Sequence, residues 1–262
     1  MKIGIFDSGL GGLSVLHQAM KDMPCEQFIY YADEEHVPYG EKTRAEIEGF
    51  IAEIINFLLR QNVKAIVIAC NTATSVATRE FRSRFRVPII GMEPAVKKAL
   101  DLYGGSGKRV LVAATKVTVT GGKMQHLLEN VDKSHLADLI ALPGLVRFAE
   151  KGDFGSEEVE NYLREELAQF SLSEYSSLVL GCTHFNFFKE TLRKLLPPEV
   201  RFVDGNEGTV RQLIRELART DSLEQLPPSA EYYFSGRRAA QKQDQARLSA
   251  CLGQLAKMFV VE

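Results

Sequence analysis

Two cysteines stand in matched settings. Cys70 follows the apolar run Ala65-Ile66-Val67-Ile68-Ala69 and opens Cys70-Asn71-Thr72. Cys182 follows Ser177-Leu178-Val179-Leu180-Gly181 and opens Cys182-Thr183-His184. Runs of this kind read as parallel strands buried on both faces. Each thiol therefore falls where a strand stops and a polar turn begins, and in open α/β sheets ligands bind at the carboxyl ends of strands. Two thiols at two such edges suit chemistry that needs one thiol on each side of a substrate. A lone strand-end cysteine is more often a small buried apolar side chain; two in matched contexts are harder to read that way. The hydroxyls of Thr72 and Thr183 and the amide of Asn71 could bind a carboxylate. Helix N-termini after both strands would help to hold an anion and would lower the thiol pKa from its usual value of about 8.5.

Other residues could join them. Asp7-Ser8-Gly9-Leu10-Gly11-Gly12 follows a short strand and precedes a helix. Its glycines would let backbone approach an anion, and Asp7 is a carboxylate at a strand end. It is neither a P-loop nor a full dinucleotide fingerprint, and a generic glycine turn explains it equally well. In Pro38-Tyr39-Gly40, Tyr39 is either surface packing or a substrate-facing lid. Thr115 and Thr118 follow a strand and could add hydroxyls, whereas Glu150, at Glu150-Lys151-Gly152, reads as a solvated charge. His184 beside Cys182 is a poor zinc signal without a second pair at ligand spacing. No metal constellation and no Schiff-base lysine stands out, so a cofactor-free reaction is expected. Cys25 and Cys251 read as structural.

The elements that must position these residues alternate between strand and helix, which implies βαβ units and parallel sheets. Strands are expected over 2–6, 27–32, 87–90, 109–114, 138–142, 201–203 and 231–234, besides the two that end at the cysteines. The helix over 43–60 carries a stripe of Ile47, Phe50, Ile51, Ile54, Phe57 and Leu58. Single helices are expected over 72–85 and 185–196, and Pro94 is well placed to open one that ends near Tyr103. The pattern restarts near Gly91, and the cysteines lie 182 − 70 = 112 residues apart. Two similar α/β domains follow, 1–92 with 205–262 and 93–204, with the active site between them.

The 262 residues suffice for this, with 45% hydrophobic and 25% charged, ordinary values for a globular chain. A net charge of −2 gives no sign of a nucleic-acid surface, and Arg79, Arg82, Arg84 and Arg86 read as a solvated helix face. No apolar stretch approaches the roughly 20 residues of a membrane helix, and the first residues are too short for a signal sequence. The four cysteines lack disulfide spacing. A cytoplasmic protein with reduced thiols is expected.

Taken in order, Asp-Ser-Gly-Leu-Gly-Gly at 7–12, Pro-Tyr-Gly at 38–40, Cys-Asn-Thr at 70–72, Glu-Pro-Ala at 93–95 and Gly-Cys-Thr-His at 181–184 resemble the bacterial glutamate racemases of the cofactor-independent aspartate/glutamate racemase superfamily. The resemblance implies a pseudosymmetric two-domain α/β fold with the substrate in the cleft. It implies Cys70 and Cys182 as the two bases, Cys70 acting on the D-isomer and Cys182 on the L-isomer. Asp7 and His184 would assist them. Ser8, Pro38, Tyr39, Gly40, Asn71, Thr72, Thr115, Thr118, Glu150 and Thr183 would hold glutamate. D-glutamate for peptidoglycan is the implied product, and a homodimer is common in such proteins. Three stretches depart from the pattern: Ala114-Thr115-Lys116-Val117-Thr118 for Gly-Thr-x-x-Thr, Phe185-Asn186-Phe187 for Tyr-Pro-Leu, and Leu142-Pro143 for Cys-Pro. An aspartate racemase, a non-catalytic amino-acid-binding protein and a thiol-redox protein remain as alternatives.

Overall fold

The apolar runs before the cysteines are strands at equivalent inner positions of two sheets. A computed structural model describes residues 1–93 and 95–261. In chain order the strands are β1 (Lys2–Asp7), β2 (Gln27–Ala32), β3 (Val63–Ile68), β4 (Ile89–Gly91), β5 (Arg109–Ala114), β6 (Ala137–Ala141), β7 (Tyr175–Leu180), β8 (Arg201–Val203), β9 (Ser229–Phe234) and β10 (Arg237–Arg238). One sheet has the order β10-β9-β2-β1-β3-β4 and the other β6-β5-β7-β8. All pairs are parallel except β9 with β10.

The order β2-β1-β3-β4 is repeated by β6-β5-β7-β8, so the fold is pseudosymmetric. The repeat extends to detail. Register slips at the start of the β1–β3 pair, between Lys2 and Ile3, and at the start of the β5–β7 pair, between Arg109 and Val110. At the other end, Ala69 N–H donates to the Phe6 carbonyl and Gly181 N–H to the Ala113 carbonyl, both at 2.7 Å. Each cysteine is thus the first residue past the last ladder bond. That rung superposes Ser8 on Thr115, two residues past Phe6 and Ala113. After β8 the chain returns to the first sheet, where β9 pairs with the whole of β2.

Helices flank both sheets because their apolar stripes have nowhere else to go. In the helix Arg44–Arg60, Thr43 and Glu46 form a capping box, and Ile47, Ile51, Ile54, Ile55 and Leu58 are buried; Phe50 and Phe57 are only half-buried. Among the described residues no helix is long and apolar enough to cross a membrane.

Three local expectations are corrected, and a fourth falls partly outside the described residues. The helix expected over 72–85 is two, Asn71–Val76 and Arg79–Ser83, because Thr78 caps the second by accepting the Phe81 N–H. The stretch after Cys182 begins as a 3-10 turn, Thr183–Phe188, and only then becomes the α-helix Lys189–Leu195. Phe185, Phe187 and Phe188 are all fully buried, with Phe187 stacked on Phe154 at 4.8 Å, and one α-helical stripe could not bury all three. Arg82 is half-buried and donates to the Ile89 carbonyl, so it leaves the solvated face. The helix near 95 spans Ala95–Tyr103, and the opening role expected of Pro94 lies outside the described residues.

Candidate active site

Both thiols are almost entirely buried, Cys70 5% and Cys182 6% exposed. They line one small cavity between the carboxyl edges of the two sheets. The first sheet and its loops supply Ser8, Pro38, Tyr39, Gly40, Cys70, Asn71 and Thr72; the second supplies Thr115, Val146, Cys182, Thr183 and His184. The cavity measures about 10 Å³, close to the room one water needs. That is too small for an amino acid, so binding one requires the residues lining the cavity to move apart.

On the first side, Cys70 S–H faces Ser8 Oγ at 3.7 Å, and the Ala73 N–H points at Cys70 Sγ at 3.4 Å. That amide favours a thiolate, as the sequence suggests. The net effect is the reverse: burial, and then the neighbouring Asp7 carboxylate, push the Cys70 thiol well above its ordinary value. A helix of six residues presents too small a dipole to outweigh full desolvation. Asp7 is itself completely buried. Its Oδ2 accepts from Gly12 N–H at 2.6 Å and from Thr183 Oγ1 at 3.3 Å, and its Oδ1 has no partner. Burial raises the Asp7 pKa against the lowering effects of His184 and two backbone amides.

The second side is built differently. Cys182 Sγ lies 3.7 Å from His184 Nδ1, and His184 Nε2 lies 2.6 Å from Glu150 Oε1. The Gly11 amide also faces Nε2, at 3.3 Å. The shorter, charge-assisted contact makes Nε2 the donor to Glu150. Burial alone would lower the His184 pKa, but the Cys182 and Glu150 contacts outweigh it and hold the ring well above its ordinary value. Glu150 is fixed in turn, since its Oε1 also accepts the Leu10 N–H at 2.7 Å. Replacing Glu150 by Gln is expected to return the His184 pKa toward or below its ordinary value, read by NMR titration of the ring; an unmoved titration would deny Glu150 this role.

The loop 7–12 explains its own glycines here. A Cβ on Gly9 would lie 2.0 Å from Glu150 Oε1, and a Cβ on Gly11 would lie 2.5 Å from His184 Nδ1 and 2.6 Å from its backbone nitrogen. Gly9 and Gly11 are bare because residues of the second half pack against them, whereas a Cβ on Gly12 would meet Asp7, Ala69 and Tyr30. Across the cavity, Thr72 and Thr115 hydroxyls meet at 3.0 Å, and Thr115 Oγ1 also bonds Thr118.

The residues singled out in the sequence thus fall into two groups. All but Asp7, Thr118 and Glu150 line the cavity; those three stand one layer back, behind Cys70, Thr115 and His184. Glu150, read from the sequence as a solvated charge, has only 15% of its side chain exposed. Tyr39 is packed inside at 1% exposure, with its hydroxyl on Asp33 Oδ2 at 2.6 Å. Sequence reasoning missed Asp33 and Val146. Asp33 directly follows β2 at its carboxyl end, the same signal that marks Asp7.

The comparisons with known proteins agree with this geometry. The family model of the Asp/Glu/Hydantoin racemases matches residues 8–213. The chain belongs to this family. A glutamate racemase of Campylobacter curvus is 52% identical over 266 residues, covering 100% of both chains. Among solved structures, the Francisella tularensis glutamate racemase in complex with D-glutamate has a TM-score of 0.79 at 28% identity, over 96% of this chain and 93% of that one. The Escherichia coli glutamate racemase in complex with L-glutamate and the activator UDP-MurNAc-Ala has a TM-score of 0.80 at 27% identity, over 97% and 95%. The family's two-domain α/β architecture is the one described above. Among the described residues, no three His, Cys, Asp or Glu side chains are grouped as a metal ion would need.

Proposed function

We propose that the chain interconverts L- and D-glutamate by transferring a proton at Cα between two thiols, without a cofactor. The observation that carries this reading is that Cys70 and Cys182, from pseudo-equivalent strands of different sheets, line a single closed cavity. Glutamate is the substrate favoured by the relatives, one of which holds its D-isomer and another its L-isomer.

Inversion removes a proton from one face of Cα and supplies one to the other, so two groups are needed, one basic and one acidic. The two sides of the cavity differ in that sense. His184, held protonated between Glu150 and Cys182, places a positive charge 3.7 Å from Cys182 Sγ. Burial and Asp7 favour a neutral Cys70. We assign Cys182, beside the His184 ring, as the base toward L-glutamate, and Cys70 as the acid on the opposite face. With L-glutamate, Cys182 takes the Cα proton, the electron pair moves into the α-carboxylate, and Cys70 delivers its proton to the opposite face. The thiol that was base leaves as acid, and D-glutamate runs the sequence backwards. Asp7, beside Cys70, is placed to exchange the proton that resets the pair.

The Cα proton is far less acidic than a thiol, so the developing carbanion must be stabilised in a dry site. The hydroxyls of Ser8, Thr72, Thr115 and Thr183 and the Asn71 amide line the cavity, and we assign them to hold the α-carboxylate. Closure of the halves excludes water. We assign the two moving bodies as 1–92 with 205–262 and 93–204, joined where the chain passes between the sheets. D-glutamate made this way would serve peptidoglycan synthesis in the cytoplasm. The substrate test is polarimetry without added cofactor: L-glutamate is expected to lose its rotation and L-aspartate to keep it, while loss with aspartate alone would reassign the substrate.

A further inference from the structure

We propose that Arg247, on the last helix Lys242–Met258, is a positioning residue that holds Glu150, and through it His184, in place against Cys182. This rests on the two-thiol reading of the site. The arginine touches no cavity residue. Its Nη2 lies 3.9 Å from Glu150 Oε2 and 3.5 Å from the Glu150 carbonyl, so it grips both the carboxylate and the end of the helix Pro143–Glu150. Its Nη1 pairs with Glu34 Oε1 at 2.9 Å, and its guanidinium lies over Phe234 at 5.6 Å.

Three features make this more than a surface pair. First, both oxygens of Glu150 are then assigned. Oε1 accepts from Leu10 N–H and faces His184 Nε2, and Oε2 faces the arginine at 3.9 Å, so rotating the carboxylate away from the ring would give up contacts at both oxygens. Second, one guanidinium lies between two partly buried carboxylates, Glu34 and Glu150. Without it, like charges would repel and Glu150 would be pushed out of register. Third, the arginine ties Glu34, in the loop after β2, to Glu150 at the end of the helix Pro143–Glu150. A partner behind an orienting histidine contact fixes that histidine's direction and protonation.

The test must separate positioning from bulk stability. Two enantiomers have equal free energy, so kcat/KM stays equal in both directions in any variant. Damage on one side shows instead in which proton transfer limits the rate. In Arg247→Met, kcat is expected to fall about 10-fold, the lower end of what losing an outer partner costs, with KM little changed. The primary isotope effect with 2-deuterated L-glutamate should rise, because Cys182 removes that proton, and the effect with 2-deuterated D-glutamate should fall. Arg247→Lys should restore part of kcat, and Glu34→Gln should shift the isotope effects the same way by less. These two variants carry the test if the methionine variant does not fold. Equal or absent shifts in the two isotope effects would overturn the inference. In substrate-free protein, the His184 ring signals should also move in Arg247→Met. That readout stands even if the wild type fails to turn over glutamate, an outcome that would overturn the substrate reading instead.

Discussion

Replacing either Cys70 or Cys182 by alanine is expected to remove racemisation in both directions together, by at least about 10³-fold, since a positioned acid or base contributes 10²–10⁴-fold. The equality follows from the equal energies of the enantiomers. The two variants should nevertheless differ. Cys182→Ala keeps the thiol on the D-face and should still exchange the Cα proton of D-glutamate with D2O, without inversion. Cys70→Ala should do the same with L-glutamate. Proton NMR of each isomer in D2O reads this directly. Substantial two-way turnover in either variant would contradict the account, as would exchange of the wrong isomer. A dithiol redox centre would instead form a reversible Cys70–Cys182 disulfide, read by thiol titration before and after mild oxidation; each thiol here has its own partner, Ser8 for Cys70 and His184 for Cys182.

The second large effect is expected from a single methyl group. Gly11→Ala would place its Cβ 2.6 Å from the backbone nitrogen of His184, a contact that no side-chain rotation relieves. Either the loop 7–12 or the turn after Cys182 must shift. Overpacking of this kind costs about 1–3 kcal/mol of stability. A displacement near 1 Å at the chemistry costs about 10²-fold in rate. Gly49→Ala is the control, because a Cβ there meets nothing within 4 Å. Calorimetry and steady-state rates on the two variants decide the matter. A fully active Gly11→Ala would show that the loop does not hold His184.

Much of this was legible in the sequence, and the reasons are local. The strands before Cys70 and Cys182 are apolar at nearly every position because both faces are covered, and that pattern needs no tertiary information. The pairing of two strand-end thiols followed from it. Glu150 was misread because its burial depends on Leu10, which lies 140 residues away in sequence. The glycines of the loop 7–12 are visible in the sequence, but what Gly9 and Gly11 make room for, Glu150 and His184, lies far along the chain. The expected lowering of both thiol pKa values fails at Cys70, where burial and Asp7 outweigh one amide contact. The broken helix at Thr78 and the 3-10 turn at Thr183–Phe188 were missed because a cap and three buried phenylalanines override helical periodicity. The domain split at 92 and 204 rests on a repeating pattern in the sequence.

The account turns on two thiols working on opposite faces of one carbon, and the fate of the Cα proton tests this most directly. Purified protein is incubated with L-glutamate in D2O, without added cofactor, and the isomers are separated early in the reaction and weighed by mass spectrometry. The account predicts that D-glutamate carries deuterium from the first turnovers, while the remaining L-glutamate stays protiated. D-glutamate that retains the original proton, or deuterium appearing equally in both isomers from the start, would point to a single base and contradict it.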